Sequence, residues 1–495
     1  MSRPLESADL LARLVQAAAH FPLEQNEIDD LVARGTGPLL SRLSQLARDS
    51  KDTAFVWLLM VVVTTQFPAA DEFRRTHRQL RAARPGLEHR AFLEAAVRNP
   101  GGLLMGPVEM TIVTDAVIAD VDFCARHTHN TGIQRVVRQT MARWTRDHEV
   151  IPVAWTSSNE SMRRLEPVEL ARVVQYGIPF DGVVAAPRLS LVVPFNCTVL
   201  VLEVPSYGLC DPLESIAEYS GNKVGLLGYD AIPVVSADTV PDPETDRFVK
   251  YLSVVKHSHR VAGISAAATG EFAGFVSAIA AQGLTGPETI SIPLPVDIPD
   301  HEITPPTGAD GKPLVLVVGS QEPRKNHRAI LHAATILWRE GIDFRLRFIG
   351  GGSVWFTRQF DKEIAQLSKA GHSVEVLRGI SDSTLLDSYQ RASFTVFPSL
   401  HEGYGLPVAE SLALGVPVIT SNYGSTAEIA ADGGCIVIDP RSDEQLTDAM
   451  RRLLTEPELG VSLRKEISER PTRTWDNYAD ELWAGLVVPL EASRG

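Results

Sequence analysis

The stretch FTVFPSLHEGYGLPVAESLALGVPVITS spans residues 394–421. It opens on a β-branched and aromatic run, crosses a loop holding Gly403 and Gly405, and continues into an alanine- and leucine-bearing segment that stops at Gly415. A second apolar run, GVPVITS, follows. Strand, loop, helix and strand in that order predict a βαβ unit, the building block of parallel sheets. Pro407 suits a first helical position, where a missing N–H is no loss, and Gly415 suits the residue just past a helix end. Glu402 is thereby predicted in the loop and Glu410 within the first turn or so of the helix, with seven residues between them. Glycines at 403 and 405 let backbone approach a ligand closely, and a helix N-terminus with free amides attracts anions. On these residues alone two readings stand. Either the two carboxylates grip the ends of a sugar nucleotide whose phosphates rest on the amides, or Glu402 is a solvated loop residue and Glu410 a partner of the helix dipole.

The alternation extends outward in both directions. LVLVVGS, FRLRFIGG, VEVLRG and GCIVID read as further strands beyond residue 313. VEMTIVTDAVIADVD, EVIPVAW, CTVLVLEV, KVGLLGYDAIPV and RVAGIS read as strands before it, with helical stretches such as GIQRVVRQTMARW between them. ISIPLPVDIPDHEITPPTGADGKP, residues 290–313, separates the two sets and has the composition of an interdomain linker. Residues 1 to about 105 are different: Leu10, Leu11, Leu14, Val15 and Ala18 follow helical spacing, and such patterns recur up to NPGG at 99–102. The expected architecture is α/β, with two Rossmann-like domains at 106–295 and 313–470 facing a cleft. A linker at 296–312 joins them, and a helical N-terminal extension over 1–105 precedes them. RTWDNYADELWAGL, in the segment 471–495, is an amphipathic helix with Trp475, Tyr478, Leu482 and Trp483 on one side. Ligands of open parallel sheets sit beyond the carboxyl ends of the strands, so both sets of strand ends are expected to line the cleft.

Composition narrows the partners. A chain of 495 residues with 44% hydrophobic and 22% charged residues is an ordinary globular protein of two or three domains. A net charge of −14 argues against general nucleic-acid binding. Arg74, Arg75, Arg78, Arg81, Arg84 and Arg90 form one local basic run, read either as a solvated helix face or as a patch for anionic lipid or glycan. The four cysteines, Cys124, Cys197, Cys210 and Cys435, form no CxxC pair, which favours a reducing compartment over a zinc ribbon or a disulfide framework. Glu6 and Asp9 interrupt the apolar run a signal peptide would need, so a cytoplasmic location is expected. AFVWLLMVVV at 54–63 is too short to span a membrane and reads as a buried helix.

A second cluster bears on chemistry. VLVVGSQEPRKNHRAILHAA, residues 315–334, predicts a strand, a turn, and Arg324, Lys325 and Asn326 at the start of a helix. Two cations at a helix N-terminus, opposite an amide-rich loop, suit a diphosphate; arginine holds two oxygens at once and lysine acts as a point charge.

With both clusters in place, residues 313–440 resemble the family 4 glycosyltransferases, retaining enzymes of the two-Rossmann-domain GT-B architecture. GSQEPRKNH, LRGISDSTLLDSYQRASFTVFPSLHEGYGLPVAESLALGVPVITSNYGSTAEIA and GGCIVIDP carry the resemblance in order. It implies that Arg324 and Lys325 bind the donor diphosphate, that Glu402 lies against the donor sugar, and that Glu410 meets the ribose. It further implies donor contacts from Ser320, from Gly403, Tyr404, Gly405 and Leu406, and from Arg378, Gly379 and Ile380 beside the base. IADVDFCARHTHNTGIQRVVRQ is similar to the family's opening strand, loop and helix, placing Gly132 and Arg135 at the donor. The TGIQRVV piece most resembles a branch that builds bacterial surface polysaccharides from mannose-like or deoxyhexose donors. LGYDAIPV resembles the family's HDxIP strand end with Tyr229 in place of the histidine, and Asp230 is kept as a catalytic candidate. Tyrosine can hydrogen-bond there but cannot carry a proton near neutral pH. GISAAATGEF places Ser265 as the cap of the helix closing the first domain.

The activity so implied is metal-independent, retaining transfer of a hexose or deoxyhexose from a nucleotide-diphosphate sugar, with GDP-mannose or a GDP-deoxyhexose preferred. The acceptor is a glycan, a lipid-linked glycan or a protein. An epimerase of the same architecture and a catalytically silent nucleotide-sugar-binding protein are the alternatives. No cofactor is expected. Asp120 and Asp122 form a DxD pair but sit in the opening strand, and His127 and His129 lack a third ligand at metal spacing. FIGGGS at 348–353 lacks the G-x-G-x-x-G of a dinucleotide fold. The helical first hundred residues are candidates for oligomer contacts, acceptor docking or peripheral membrane association.

Overall fold

The computed structural model describes residues 8–99, 108–182, 189–295 and 311–494. Positions 296–310 of the expected linker, and the expected boundary near 105, lie outside the described residues. Two sheets form the frame. The first has nine strands, in the spatial order Glu109–Val113, Ser190–Pro194, Met162–Arg164, Val150–Trp155, Val117–Asp120, Thr198–Val201, Lys223–Gly228, Arg260–Gly263 and Glu288–Ser291. All are parallel to their neighbours except the short strand Met162–Arg164, which runs antiparallel on both sides. The second has six parallel strands, in the order Val374–Leu377, Arg345–Ile349, Leu314–Val318, Phe394–Phe397, Val418–Ser421 and Cys435–Ile438. The chain order reverses at Val117–Asp120 in the middle of the first sheet and at Leu314–Val318 in the second. The loops that leave such a strand and its neighbour splay apart and open a crevice.

Several local readings differ from expectation for visible reasons. VEMTIVTDAVIADVD forms two strands rather than one, because Asp115 takes a left-handed φ of 54° and turns the chain between them. Arg324 and Lys325 do not stand on the α-helix. They occupy a 3-10 turn, Pro323–Lys325, and the helix begins at His327. Asn326 causes the offset: its φ is 56°, and its Nδ2 donates to the Pro440 carbonyl at 2.7 Å, so the chain turns there before it coils. Pro407 lies one residue inside the helix Leu406–Ala413, whose cap is Gly405 at φ 107°. The C-terminal segment begins as the helix Trp475–Leu482 and passes through a π-helical turn at Trp483–Val487. It packs on the first domain: Trp144 Nε1 donates to the Ala479 carbonyl at 3.0 Å, and Arg494 Nη1 to the Ala116 carbonyl at 3.2 Å.

The N-terminal helices share one core with the nine-stranded sheet rather than standing apart from it. The helix Ala54–Thr64 explains why. It is apolar on every side, and from Val56 through Thr64 every residue is buried. A helix without a polar face must be covered all round. Helices cover it on one side, and the sheet and the helix Tyr207–Tyr219 cover it on the other; Trp57 Nε1 donates to Ser215 Oγ at 3.0 Å. Among the described residues, no helix is long and apolar enough to cross a membrane.

Candidate functional site

The two domains meet at loops beyond their strand ends. After the strand Leu314–Val318 come Ser320 to Lys325, and after Phe394–Phe397 comes the loop holding His401 and Glu402. Glu402 is buried between two cations: Lys325 Nζ lies 2.5 Å from Oε1, and Arg324 Nη1 lies 3.0 Å from Oε2. Burial opposes its charge, but the fields of Lys325 and Arg324 win and hold the carboxyl below the usual glutamate range. Lys325 also lies 4.8 Å from the centroid of the Phe397 ring. Arg324 Nε reaches Glu322 at 3.0 Å, and Ser320 Oγ donates to the same glutamate at 2.7 Å. Two cations and three carboxylate oxygens thus make a closed charge network.

Glu410, on the helix Leu406–Ala413, faces the other domain. Arg135 Nη1, from the helix Gly132–Asp147, lies 2.9 Å from Glu410 Oε1, and the Tyr389 hydroxyl donates to Oε2 at 3.1 Å. Burial raises the Glu410 carboxyl, and Arg135 and Tyr389 pull it partly back. Gly132 and Leu406 are in close apposition, since a Cβ at Gly132 would lie 2.9 Å from Leu406 Cδ1. A Cβ at Gly403 would run into the Tyr229 carbonyl oxygen and lie 3.0 Å from the Asp230 carboxylate. Glycine is required at 403 because the domains touch there. Ser265 caps its helix as expected and also donates to the Gly403 carbonyl at 2.7 Å. Tyr404 sends its hydroxyl across to the Leu294 carbonyl at 2.7 Å.

The Tyr229 hydroxyl donates to the Leu202 carbonyl of its own domain at 2.8 Å, and the side chain is buried. Asp230 stays at the domain boundary. Burial, reinforced by Glu271, pushes its carboxyl up to about 6 despite the Ile232 N–H and the Arg324 and His401 charges. Arg378 sits at the far side of the C-terminal crevice, donating to Gln321 Oε1 at 2.7 Å and pairing with Asp361 at 2.6 Å. Gly379 follows with a φ of 60°, and Ile380 packs under the same edge.

Three cross-domain contacts had no sequence signal. His401 Nε2 lies 2.5 Å from Glu271 Oε1, and its Nδ1 lies 2.7 Å from Ser236 Oγ. Burial lowers the His401 pKa, yet the bond to Glu271 and the charges of Glu271, Asp230 and Glu402 outweigh it, and the net direction is up. Glu428 accepts the N–H groups of Ala266 and Ala267 at 2.8 and 2.7 Å, and so caps a helix of the opposite domain. His401 lay inside the motif already read for function; its partners, more than a hundred residues away, could not be paired with it from spacing.

The histidines and aspartates set aside as decoys are structural neighbours of this region. Asp120 accepts from Trp155 Nε1 at 2.8 Å, and Asp122 pairs with Arg126. His127 and His129 pack against the Phe123 ring. Among the described residues, a group with the proximity to hold a metal is Glu214, Glu218 and His257, on two other helices.

Residues 300–470 match the family described as Glycosyl transferases group 1. Over those residues the chain is similar to a group 1 glycosyltransferase domain. This domain holds Arg324, Lys325, Glu402 and Glu410, and its fold is the second Rossmann-like half of a GT-B architecture. Among similar proteins, O-antigen chain mannosyltransferase B of Escherichia coli is 29% identical over 169 residues, covering 33% of this chain and 42% of that protein. The serotype-specific mannosyltransferase WbdA of Escherichia coli is 35% identical over 120 residues, 24% of this chain and 15% of that one. The chain thus spans less than half the length of these curated relatives. In three dimensions it is similar to sucrose-phosphate synthase of Thermosynechococcus elongatus, with a TM-score of 0.52 at 15% identity over 74% of this chain and 98% of that one. At that identity the likeness concerns the fold, and it extends the two-domain architecture well beyond the glycosyltransferase domain.

Proposed function

We propose that this protein transfers a hexosyl or deoxyhexosyl group from a nucleoside-diphosphate sugar to a hydroxyl of a glycan, retaining the anomeric configuration and using no metal. The observation that carries this reading is the placement of Glu402 between Arg324 and Lys325 at the strand-reversal point of the glycosyltransferase domain. On donor binding, the diphosphate takes the two cations from Glu402, which is freed to hold the sugar hydroxyls. As the bond from the anomeric carbon to phosphate oxygen breaks, negative charge grows on the diphosphate, and Arg324, Lys325 and the loop amides stabilise it. The acceptor oxygen attacks from the face the phosphate leaves, and its proton passes to a phosphate oxygen. Glu402 positions the sugar and forms no bond to it. The domain contacts at Gly403, Tyr404 and His401 exclude water and so limit hydrolysis of the donor.

GDP-mannose or a GDP-deoxyhexose is the preferred donor, supported by the TGIQRVV resemblance and by the mannosyltransferases among the relatives. The acceptor on this reading is a growing surface polysaccharide or a lipid-linked glycan. Work at the inner face of the cell membrane would use Arg74, Arg75, Arg78, Arg81, Arg84 and Arg90, all exposed. Failure to co-sediment with anionic vesicles at low salt discards that placement.

Thermal-shift measurements across GDP, UDP, dTDP and ADP sugars, with and without chelator, test the donor reading. One nucleotide class should stabilise the protein, chelator should make no difference, and Arg324→Ala should abolish the shift. Turnover left unchanged by Arg324→Ala or Lys325→Ala overturns the diphosphate trap.

A further inference from the structure

A cavity of about 400 Å³ lies in the second domain, between the turn Pro323–Lys325 and the helix Val354–Lys369. Pro323, His327 and Arg328 line it from one side, and Phe356 and Phe360 of that helix line it from the other. Among the described residues, Arg324, Lys325, Glu402 and Glu410 take no part in the lining, so the cavity is a different place from the charge network where the donor is expected.

Its unusual member is His327. The residue is 6% exposed, and neither ring nitrogen has a hydrogen-bond partner among the described residues. The ring centroid lies 5.4 Å from that of Phe348 and 5.9 Å from that of Phe360. Burial, with help from the Lys325 charge, pushes its pKa down to about 3, and the neutral imidazole offers one donor and one acceptor. A buried polar group with neither satisfied costs stability, and leucine would fill a similar space without that cost. The histidine stands where the buried side of the helix His327–Arg339 reaches the cavity.

The backbone beside it is also short of acceptors. His327 and Arg328 open that helix, and its cap residue Asn326 makes no side-chain cap bond. The Ala329 N–H reaches the Asn326 carbonyl at 3.1 Å, whereas those of His327 and Arg328 have no acceptor among the described residues. Helix-initial N–H groups carry partial positive charge and bind oxyanions. Arg328 Nη2 pairs with Glu363 at 3.2 Å, and its Nε and Nη1 have no partner among the described residues. The carboxylate of Glu322, also in the lining, is met by Arg324 Nε at 3.0 Å and the Ser320 hydroxyl at 2.7 Å. Two lining amides, Asn326 and Gln359, donate elsewhere, to the Pro440 carbonyl at 2.7 Å and to Glu363 at 3.2 Å, which leaves their oxygens to accept from hydroxyls. Donors for an oxyanion, acceptors for hydroxyls and aromatic faces for C–H surface suit a phosphorylated sugar.

We propose that this cavity is a second ligand site, which binds a hexose monophosphate with its phosphate on the N–H groups of His327 and Arg328 and on the His327 imidazole. Nothing in this site depends on glycosyl transfer, and neither donor nor turnover enters its test.

That test is titration calorimetry of the full chain with the 6-phosphates of glucose, mannose and galactose, with the free hexoses and with inorganic phosphate. Wild type should bind at least one hexose phosphate with a Kd of about 1 mM or tighter, and the matching hexose and inorganic phosphate about tenfold more weakly or worse. His327→Leu should weaken the hexose phosphate about tenfold or more, the size of one hydrogen bond to a charged group. It should not lower the Tm of the ligand-free protein, because it removes an unpaired polar group from a buried position. Arg328→Ala, at an exposed side chain, should weaken binding about threefold or more with Tm unchanged. Arg324→Ala should cost less affinity than His327→Leu. Should His327→Leu melt early, Arg328→Ala decides alone. Free hexose or inorganic phosphate binding as tightly as the hexose phosphate, affinity untouched by Arg328→Ala, a larger loss in Arg324→Ala than in a stably folded His327→Leu, or no binding of any hexose phosphate at about 10 mM each overturns the proposal.

Discussion

Arg135 Nη1 and Glu410 Oε1, on facing helices of opposite domains, are 2.9 Å apart. The ribose of a donor would have to share this carboxylate with Arg135 and the Tyr389 hydroxyl. Glu410→Gln keeps the shape and loses the charge. It should weaken binding of the preferred nucleotide sugar about 10- to 100-fold in titration calorimetry, the range of a hydrogen bond to a charged group. Arg135→Ala should cost no more than about 1 kcal/mol in denaturant unfolding, because both side chains are a quarter or more exposed. Equal affinity of Glu410→Gln and wild type removes Glu410 from the donor site.

Glu402 occupies the two cations that the diphosphate is expected to use. Glu402→Gln should therefore tighten binding of the free nucleoside diphosphate while transfer falls about 100-fold or more. Calorimetry with the diphosphate and a product assay separate the two effects. Weaker diphosphate binding in this variant would show that Glu402 does not compete for the site. Lys325→Ala leaves a buried carboxylate with one partner and should cost about 3–5 kcal/mol in unfolding free energy.

The His401–Glu271 pair gives the domain contact a pH dependence. The His401 pKa is raised in the folded protein, so the contribution of the pair is fully present below the ordinary histidine value. It is lost as pH rises through the raised value. Small-angle scattering of the ligand-free protein should show a compact particle at pH 6 and a more open one above about pH 8. His401→Gln should abolish the dependence. Opening on acidification instead would contradict the assignment.

Tyr229 replaces a histidine of the family pattern, and its hydroxyl is spent on the Leu202 carbonyl. Tyr229→Phe should cost about 1 kcal/mol of stability and leave KM for the donor within about twofold. A large rise in KM would place the hydroxyl at the donor after all.

The helix Ala54–Thr64 lies in the core shared with the nine-stranded sheet. Leu58→Ala should cost about 2–5 kcal/mol, and deletion of residues 1–105 should give an aggregated product rather than a smaller active enzyme. A soluble, active truncation would refute this shared core.

The two-domain α/β fold was legible because parallel strands buried on both faces leave apolar runs, and the helices between them leave a different period. FTVFPS and GVPVITS became the strands Phe394–Phe397 and Val418–Ser421 with little slack. Glu402, Glu410, Arg324 and Lys325 could be singled out because each follows a strand end or a turn within its own motif. The pairing of Glu410 with Arg135 across 275 positions was not legible, nor was that of His401 with Glu271 across 130.

Local chemistry in the sequence alone determined where the chain would turn, which segments would be apolar throughout, and which charged residues would sit at strand ends. Only the tertiary structure decided what those charges face. Glu402 turned out to fill its own cation pair, Tyr229 to point into its own domain, and the N-terminal helices to complete the core of the first sheet. The physical reason is that backbone periodicity records burial, a property of each segment, whereas an ion pair or a shared core depends on two segments whose separation along the chain leaves no trace in either.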